Sequence, residues 1–340
     1  MSEESTENTT AMRLLRLVTA SWMSSAMSAV AELGVADRLA AGPRPVTDLA
    51  ADVGAAPGPL YRLLRACADI GLFRESAGQV FALTDLGDGL RSDSPHSLRN
   101  FVRWVGLAAD RHTWSDLAQT VRTGEPAFER VHGKQVWEYF RDSPEVAEVF
   151  DNAMTELSDH VIKPVVDAYD FGRFRRIVDV GGGHGSLLAT VLTANPAATG
   201  VLFDQPEVIA SAGAPLDEAG VRDRCQLVDG DFFVGVPPGG DAYLMSNIIH
   251  DWDDEPSRRI LANCREAMAD GGRVLLVEAV VPDGVASSPT VKLMDLDMLV
   301  ISGGRQRTGA QFDALFQDAG LKLSGIVPAG LCSVVEAVRA

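Results

Sequence analysis

The chain has 340 residues, 46% of them hydrophobic, and a formal net charge of −17. That size and apolar content are ample for a substantial core and suggest two domains, while the acidity, most of it after residue 105, argues against nucleic acid as the main partner. No apolar run is long enough to span a bilayer. The four cysteines, Cys67, Cys225, Cys264 and Cys332, have no CxxC spacing, which points to a reduced, cytoplasmic protein without a metal site.

The first residues, MSEESTENTT, are polar and acidic, with no basic stretch leading into an apolar one. A disordered tail is expected over 1–11, and no signal peptide. Residues 12–41 read as helical. VTDLAADVG reads as a short helix starting near Thr47 or Asp48, Ala55–Gly58 as a turn, and the stretch from Pro59 to Ile70 as a second helix. Gly71–Phe73 and Val80–Leu83 read as short strands joined at Ser76–Gln79. Helix, turn, helix and hairpin make a winged-helix pattern over 12–105. Such a unit either reads DNA or joins subunits. Its second helix offers mainly Arg62 and Arg65 amid Leu60, Leu63, Leu64 and Ala66, which suits a core better than a DNA groove. The first helix carries Leu14, Leu15, Leu17, Val18, Trp22 and Met23, more apolar surface than a small winged helix buries alone. A homodimer joined through residues 12–100 is therefore expected.

Residues 106–170 read as a mostly helical linker rich in aromatics, including Trp114, Trp137 and Phe150. Over 171–340, strands and helices alternate. IVDV, GVLF, CQLV, AYLMSNI and RVLLVEAVV are the strand candidates, so an α/β doubly wound parallel sheet is expected. Leu321–Ile326 and Cys332–Val338, separated by Val327–Gly330, would close it with an antiparallel hairpin.

The segment IVDVGGGHGS, Ile177–Ser186, passes from strand through glycines into a helix. Backbone there can approach a ligand closely. The dinucleotide fingerprint asks for a third glycine where Ser186 stands. The alternating GxGxG after an acid resembles instead the first motif of class I S-adenosylmethionine-dependent methyltransferases. S-adenosylmethionine asks for a close backbone, an acid near its ammonium (Asp179) and an acid for its ribose. Asp204, ending the next apolar run, has the spacing for the ribose.

Four further stretches, PEVIASA after Asp204, GDFF at 230–233, HDWDDE at 250–255 and GGRQRT at 303–308, narrow the resemblance. In that order they resemble the O-methyltransferases with a winged-helix-like dimerisation domain, the plant caffeate and flavonoid enzymes and bacterial enzymes that tailor aromatic natural products such as anthracyclines. The resemblance covers nearly the whole chain. It implies S-adenosylmethionine as cofactor, a small aromatic acceptor and a homodimer, with no membrane and no metal. It places Gly181 and Gly183 against the cofactor, Asp204 on the ribose, Asp231 and Phe232 beside the adenine, Trp252 near them, and Ser246 where plant members often have a lysine. Asp251 would contact the cofactor or hold the loop.

The same resemblance makes His250 the general base and Glu278 the carboxylate that orients it. Methyl transfer to a phenol needs positioning and removal of a proton, and a histidine can accept one. The family's second carboxylate falls at Gln306, which brings no charge, so His250 is expected to have one supporting carboxylate. The acceptor pocket would draw on His112, Trp114, Met154, Asn247, Met294, Asp297 and Met298. Asp295 and Asp297 would share a face on a strand and diverge on a helix; a carboxylate there meets a polar or cationic substrate group or is a helix-surface charge. Two alternatives stand beside the O-methyltransferase. One is a non-methylating homologue, of the hydroxylase or decarboxylase kind, that keeps the cofactor. The other is a ligand-responsive winged-helix regulator.

Overall fold

The computed structural model describes residues 9–340; the tail expected over 1–11 lies mostly outside them. The first helix, Thr10–Leu33, starts inside that stretch because Thr9 caps it, its hydroxyl accepting from the Met12 N–H at 3.3 Å. Two compact units divide the chain. One runs to His112 and takes in Trp137–Leu157; the other holds Thr113–Val136 and Ser158–Ala340. The stretch expected as a linker over 106–170 is thus shared out rather than standing apart.

In the first unit, helices Val46–Asp52 and Pro57–Asp69 are followed by antiparallel strands Phe73–Ser76 and Val80–Leu83. The first of these strands starts later than expected. Gly71, at φ 87°, takes the left-handed turn that ends the helix, and its neighbour's N–H returns to the Cys67 carbonyl. Arg44–Pro45 adds a third short strand beside Val80–Phe81. Val30, Leu39, Leu49, Leu60, Leu64, Phe73 and Phe81 form the core. Met12, Leu14, Leu15, Leu17, Val18, Trp22 and Met23 remain exposed, Trp22 at 71%. A second cluster stacks Trp104 and Trp137 edge-on against Phe140 and Phe150.

The second unit is built on a seven-stranded sheet, numbered here β1 to β7. They are Arg176–Val180, Thr199–Asp204, Cys225–Asp229, Ala242–Ser246, Arg273–Glu278, Leu321–Ala329 and Cys332–Arg339. The order is β6-β7-β5-β4-β1-β2-β3, parallel except for β7, which runs antiparallel to both β5 and β6. Each parallel strand reads as a nearly continuous apolar run because helices cover both faces. The closing hairpin is tighter than expected: Val327–Ala329 belong to β6, and only Gly330 and Leu331 turn the chain. Pro328 is tolerated because β6 is an edge strand. This is the class I methyltransferase architecture. In such sheets ligands bind beyond the carboxyl ends of the strands. Asp204 and Glu278 end β2 and β5, the glycine turn follows β1, and His250 follows β4.

Candidate active site

The chain leaves β1 through Gly181–Gly185 and enters the helix Ser186–Ala194. Gly181 and Gly183 hold φ values of 69° and 57°, a region that disfavours side chains. Nothing lies within 4 Å of where a Cβ at 183 would stand, whereas one at 182 would press on Asp179 Cγ at 2.6 Å. Asp179 is packed under this turn, 1% exposed. Neither of its carboxylate oxygens has a hydrogen-bond partner among the described residues. Burial, then the charge of Asp204, pushes its pKa up to about 7. Asp204 braces the turn from the end of β2. Its Oδ2 accepts from the Gly183 N–H at 2.9 Å and its Oδ1 from the Gln205 N–H at 2.7 Å.

A Cβ at Gly181 would meet Ile248 Cδ1 at 2.6 Å and Phe232 Cε1 at 3.7 Å, so the turn lies close to the aromatic residues. Phe232, Phe233 and Trp252 meet edge to face, with centroids 4.9 Å apart for Phe233–Trp252 and 6.2 Å for Phe232–Trp252. Asp231 Oδ1 accepts from the Phe233 N–H at 2.8 Å, which fixes the loop. An unmatched buried carboxyl, an open glycine backbone, a carboxylate with spare lone pairs and an aromatic group fit the ammonium, backbone contacts, ribose and adenine of S-adenosylmethionine.

From Ser246, the last residue of β4, Asn247 leads to a short turn, Ile249–Asp251. Asn247 sits at φ 55°, a left-handed conformation that asparagine tolerates, and its N–H is held by the Val277 carbonyl at 3.0 Å. The turn carries His250 to Glu278. His250 Nδ1 lies 2.7 Å from Glu278 Oε2, and Glu278 Oε1 accepts from the Ile249 N–H at 2.9 Å. Glu278 is fully buried. Asp251 Oδ1 stands 3.6 Å from His250 Nε2. Burial disfavours the imidazolium, but the charge and hydrogen bond of Glu278, with Asp251, outweigh it and push the His250 pKa up to about 9. Asp251 is pushed up to about 6, by burial above all.

Gln306 does not support His250 through a hydrogen bond. Its backbone N–H donates to Asp295 Oδ1 at 2.8 Å, while its side-chain amide is buried with no hydrogen-bond partner among the described residues. Among the described residues, Glu278 is the carboxylate on Nδ1. The residue that the sequence reading missed is Arg307, one place on. It is 1% exposed and donates to the Ile249 and Trp252 carbonyls, both at 2.9 Å, and to Asp254 at 2.8 Å. It ties down both ends of the histidine turn. An arginine inside GGRQRT is visible in the sequence, but its burial is not.

LMDLDMLV lies in a helix, Pro289–Ile301, and the two acids diverge. Asp295 takes the Gln306 N–H, whereas Asp297 accepts from Trp114 Nε1 at 2.9 Å. Trp114, Asn247, Met294, Asp297 and Met298 share the second unit with His250. His112 and Met154 belong to the first. Among the described residues, no cluster of three or more histidines, cysteines or acids could hold a metal, and no helix is long and apolar enough to cross a membrane. The four cysteines are buried and free.

An O-methyltransferase domain model matches residues 114–322, and an O-methyltransferase dimerisation domain model matches residues 15–93. The chain belongs to the O-methyltransferase family. It is 43% identical to a phenazine O-methyltransferase of Lysobacter antibioticus, over 95% of each chain. It is 39% identical to an 8-amino-8-demethylriboflavin N,N-dimethyltransferase of Streptomyces davaonensis, over 98% of this chain and 96% of that one. Among solved structures it resembles a methyltransferase of calicheamicin biosynthesis in its S-adenosylhomocysteine-bound form, with a TM-score of 0.87 at 36% identity over the full length of both. It also resembles an O-methyltransferase of neocarzinostatin biosynthesis in complex with S-adenosylmethionine and 2-hydroxy-5-methyl naphthoic acid. That TM-score is 0.79 at 33% identity, covering 94% of this chain and 96% of the other. The protein is thus an S-adenosylmethionine-dependent methyltransferase of the kind that serves secondary metabolism, and the regulator reading falls away.

Proposed function

We propose that this methyltransferase methylates a phenolic hydroxyl of a small aromatic natural product, with His250 as general base. The observation that carries this reading is the His250–Glu278 pair at 2.7 Å. Glu278 occupies Nδ1 and thereby leaves Nε2 as the nitrogen for the acceptor's proton. S-adenosylmethionine, when bound, supplies an electrophilic methyl group on a sulfonium. Gly181, Gly183, Asp204, Asp231 and Phe232 would hold it, with Asp179 opposite its positive end.

The chain's own task is then to place the hydroxyl and remove its proton. A phenol has a pKa of about 10, and a base with a pKa of about 9 takes its proton at little cost. The unmatched charge of a second carboxylate would raise His250 further and leave still less of it unprotonated at neutral pH. Gln306, neutral at the family's second acidic position, avoids that. The N-methylating relative makes an aromatic amine the second acceptor class to test.

The dimerisation domain and the exposed apolar residues of Thr10–Leu33 support a homodimer joined through residues 12–100. The test of function is transfer of labelled methyl from S-adenosylmethionine to a panel of hydroxylated and amino-substituted mono- and polycyclic aromatics. Methylation at oxygen in a His250-dependent manner is expected. Transfer to no phenol by folded, cofactor-binding protein would overturn the reading.

A further inference from the structure

The helix Pro289–Ile301 is largely apolar, yet Asp297 interrupts it between Leu296 and Met298. Met294, Asp297 and Met298 stand three and four residues apart, which sets them on one helical face. Among the described residues the Asp297 carboxylate has a single hydrogen bond, from Trp114 Nε1 to Oδ1 at 2.9 Å. That bond joins residues 183 positions apart. Among the described residues Oδ2 has no such partner, yet unlike the oxygens of Asp179 it is not sealed away. Burial above all pushes its pKa up to about 6, against the Trp114 hydrogen bond and the charge of His250, which lower it. An ionised carboxylate only accepts hydrogen bonds, so an open Oδ2 selects a donor. Trp114 fixes the carboxylate's orientation by occupying the other oxygen. Flanking methionines suit a flat ring.

We propose that Asp297 is a specificity-determining residue for the acceptor: its Oδ2 receives a hydrogen bond from an amino or hydroxyl substituent on the aromatic ring, separate from the oxygen that is methylated. This rests on the reading of the His250 site as the acceptor site. An acceptor that carries a carboxylate at the same position meets like charge and is rejected.

Four probes test it: 7-amino-2-naphthol, 2,7-dihydroxynaphthalene, 7-methoxy-2-naphthol and 7-hydroxy-2-naphthoate. Each is measured twice on the dimer or monomer as it exists in solution. The first measurement is kcat/KM for methyl transfer. The second is calorimetric binding to protein saturated with S-adenosylhomocysteine, which needs no turnover. In the wild type, the amino and hydroxyl probes should exceed the methoxy probe by about 10–100-fold, the range for a hydrogen bond to a charged group, with the naphthoate weakest. Asp297→Asn should narrow the gap between the amino probe and the naphthoate by about tenfold or more, because an amide also donates. Trp114→Phe should narrow it less. Asp297→Ser serves if the asparagine variant does not fold, with S-adenosylmethionine affinity as the check. The same ranking in wild type and Asp297 variants would overturn the assignment. Ranked binding without any methyl transfer would sink the phenol reading and leave Asp297 supported. Methyl transfer with no Asp297-dependent ranking would do the reverse. No binding of any probe would overturn both.

Discussion

The Nδ1 of His250 is bonded to a fully buried Glu278 carboxylate at 2.7 Å, and the other oxygen of Glu278 holds the backbone of the turn on which His250 sits. One side chain thus holds both the ring and the turn that carries it.

Glu278→Gln should lower the His250 pKa from about 9, because the carboxylate's charge no longer opposes burial. The acid limb of the pH–rate profile should move to lower pH. Activity on the alkaline plateau should fall about 10–100-fold, less than removal of the base itself. Titration of the His250 ring by NMR checks the shift directly; an unmoved titration would mean that Glu278 does not set its basicity.

Gln306→Glu should act in the opposite sense. A second buried acid near the histidine turn raises the His250 pKa, so the acid limb moves to higher pH. Activity at neutral pH should fall severalfold, while the plateau at high pH stays equal or rises. A fall at every pH with no shift in the limb would show that the buried amide matters for packing and not for charge.

Asp179 ties the cofactor site to pH. Burial above all pushes its pKa from the ordinary 3.8 up to about 7 in the folded protein. Between those values the folded protein holds a proton that the unfolded chain has released. Stability of the cofactor-free protein should therefore fall as pH rises from about 4 to 7 and level off above, by at most about 4 kcal/mol. A cationic ligand favours the carboxylate, so S-adenosylmethionine should bind more tightly as pH rises through 7 and release a proton on binding. Asp179→Asn should flatten both trends while weakening the cofactor. Calorimetry in buffers of different ionisation enthalpy would read the proton; none released at pH 6 would contradict this account.

Asp204→Ala should weaken S-adenosylmethionine by roughly 1.5–3 kcal/mol, the range for hydrogen bonds to a charged group. Part of that loss comes from the turn, because Asp204 also holds the Gly183 N–H. Unchanged affinity in a folded variant would move the ribose contact elsewhere.

Much of this was legible in the sequence because it is local. Short stretches rich in apolar residues marked the parallel strands β1 to β5, and the glycine spacing marked the turn after β1. The roles of His250 and Glu278 came from resemblance. What stayed hidden depends on partners far apart in the chain. Trp114 and Asp297 pair across 183 positions, and no periodicity announces it. Arg307 looks like an ordinary arginine until three acceptors surround it. The linker read over 106–170 is mostly helical, and helicity says nothing about which core each helix joins. The choice between strand and helix at Asp297 needed the whole segment, since short apolar runs suit either.

The central claim is that His250 removes the acceptor's proton. The most direct measurement compares pH–rate profiles of the wild type and folded His250→Ala for methyl transfer to a phenol of known pKa, with S-adenosylmethionine affinity measured alongside. Loss of about 10²–10⁴-fold near neutral pH, disappearance of the wild-type limb near pH 9 and little change in cofactor affinity are the predicted result. Profiles that rise with the phenol's own pKa to one common plateau in both proteins would mean that the acceptor ionises unaided, and would contradict it.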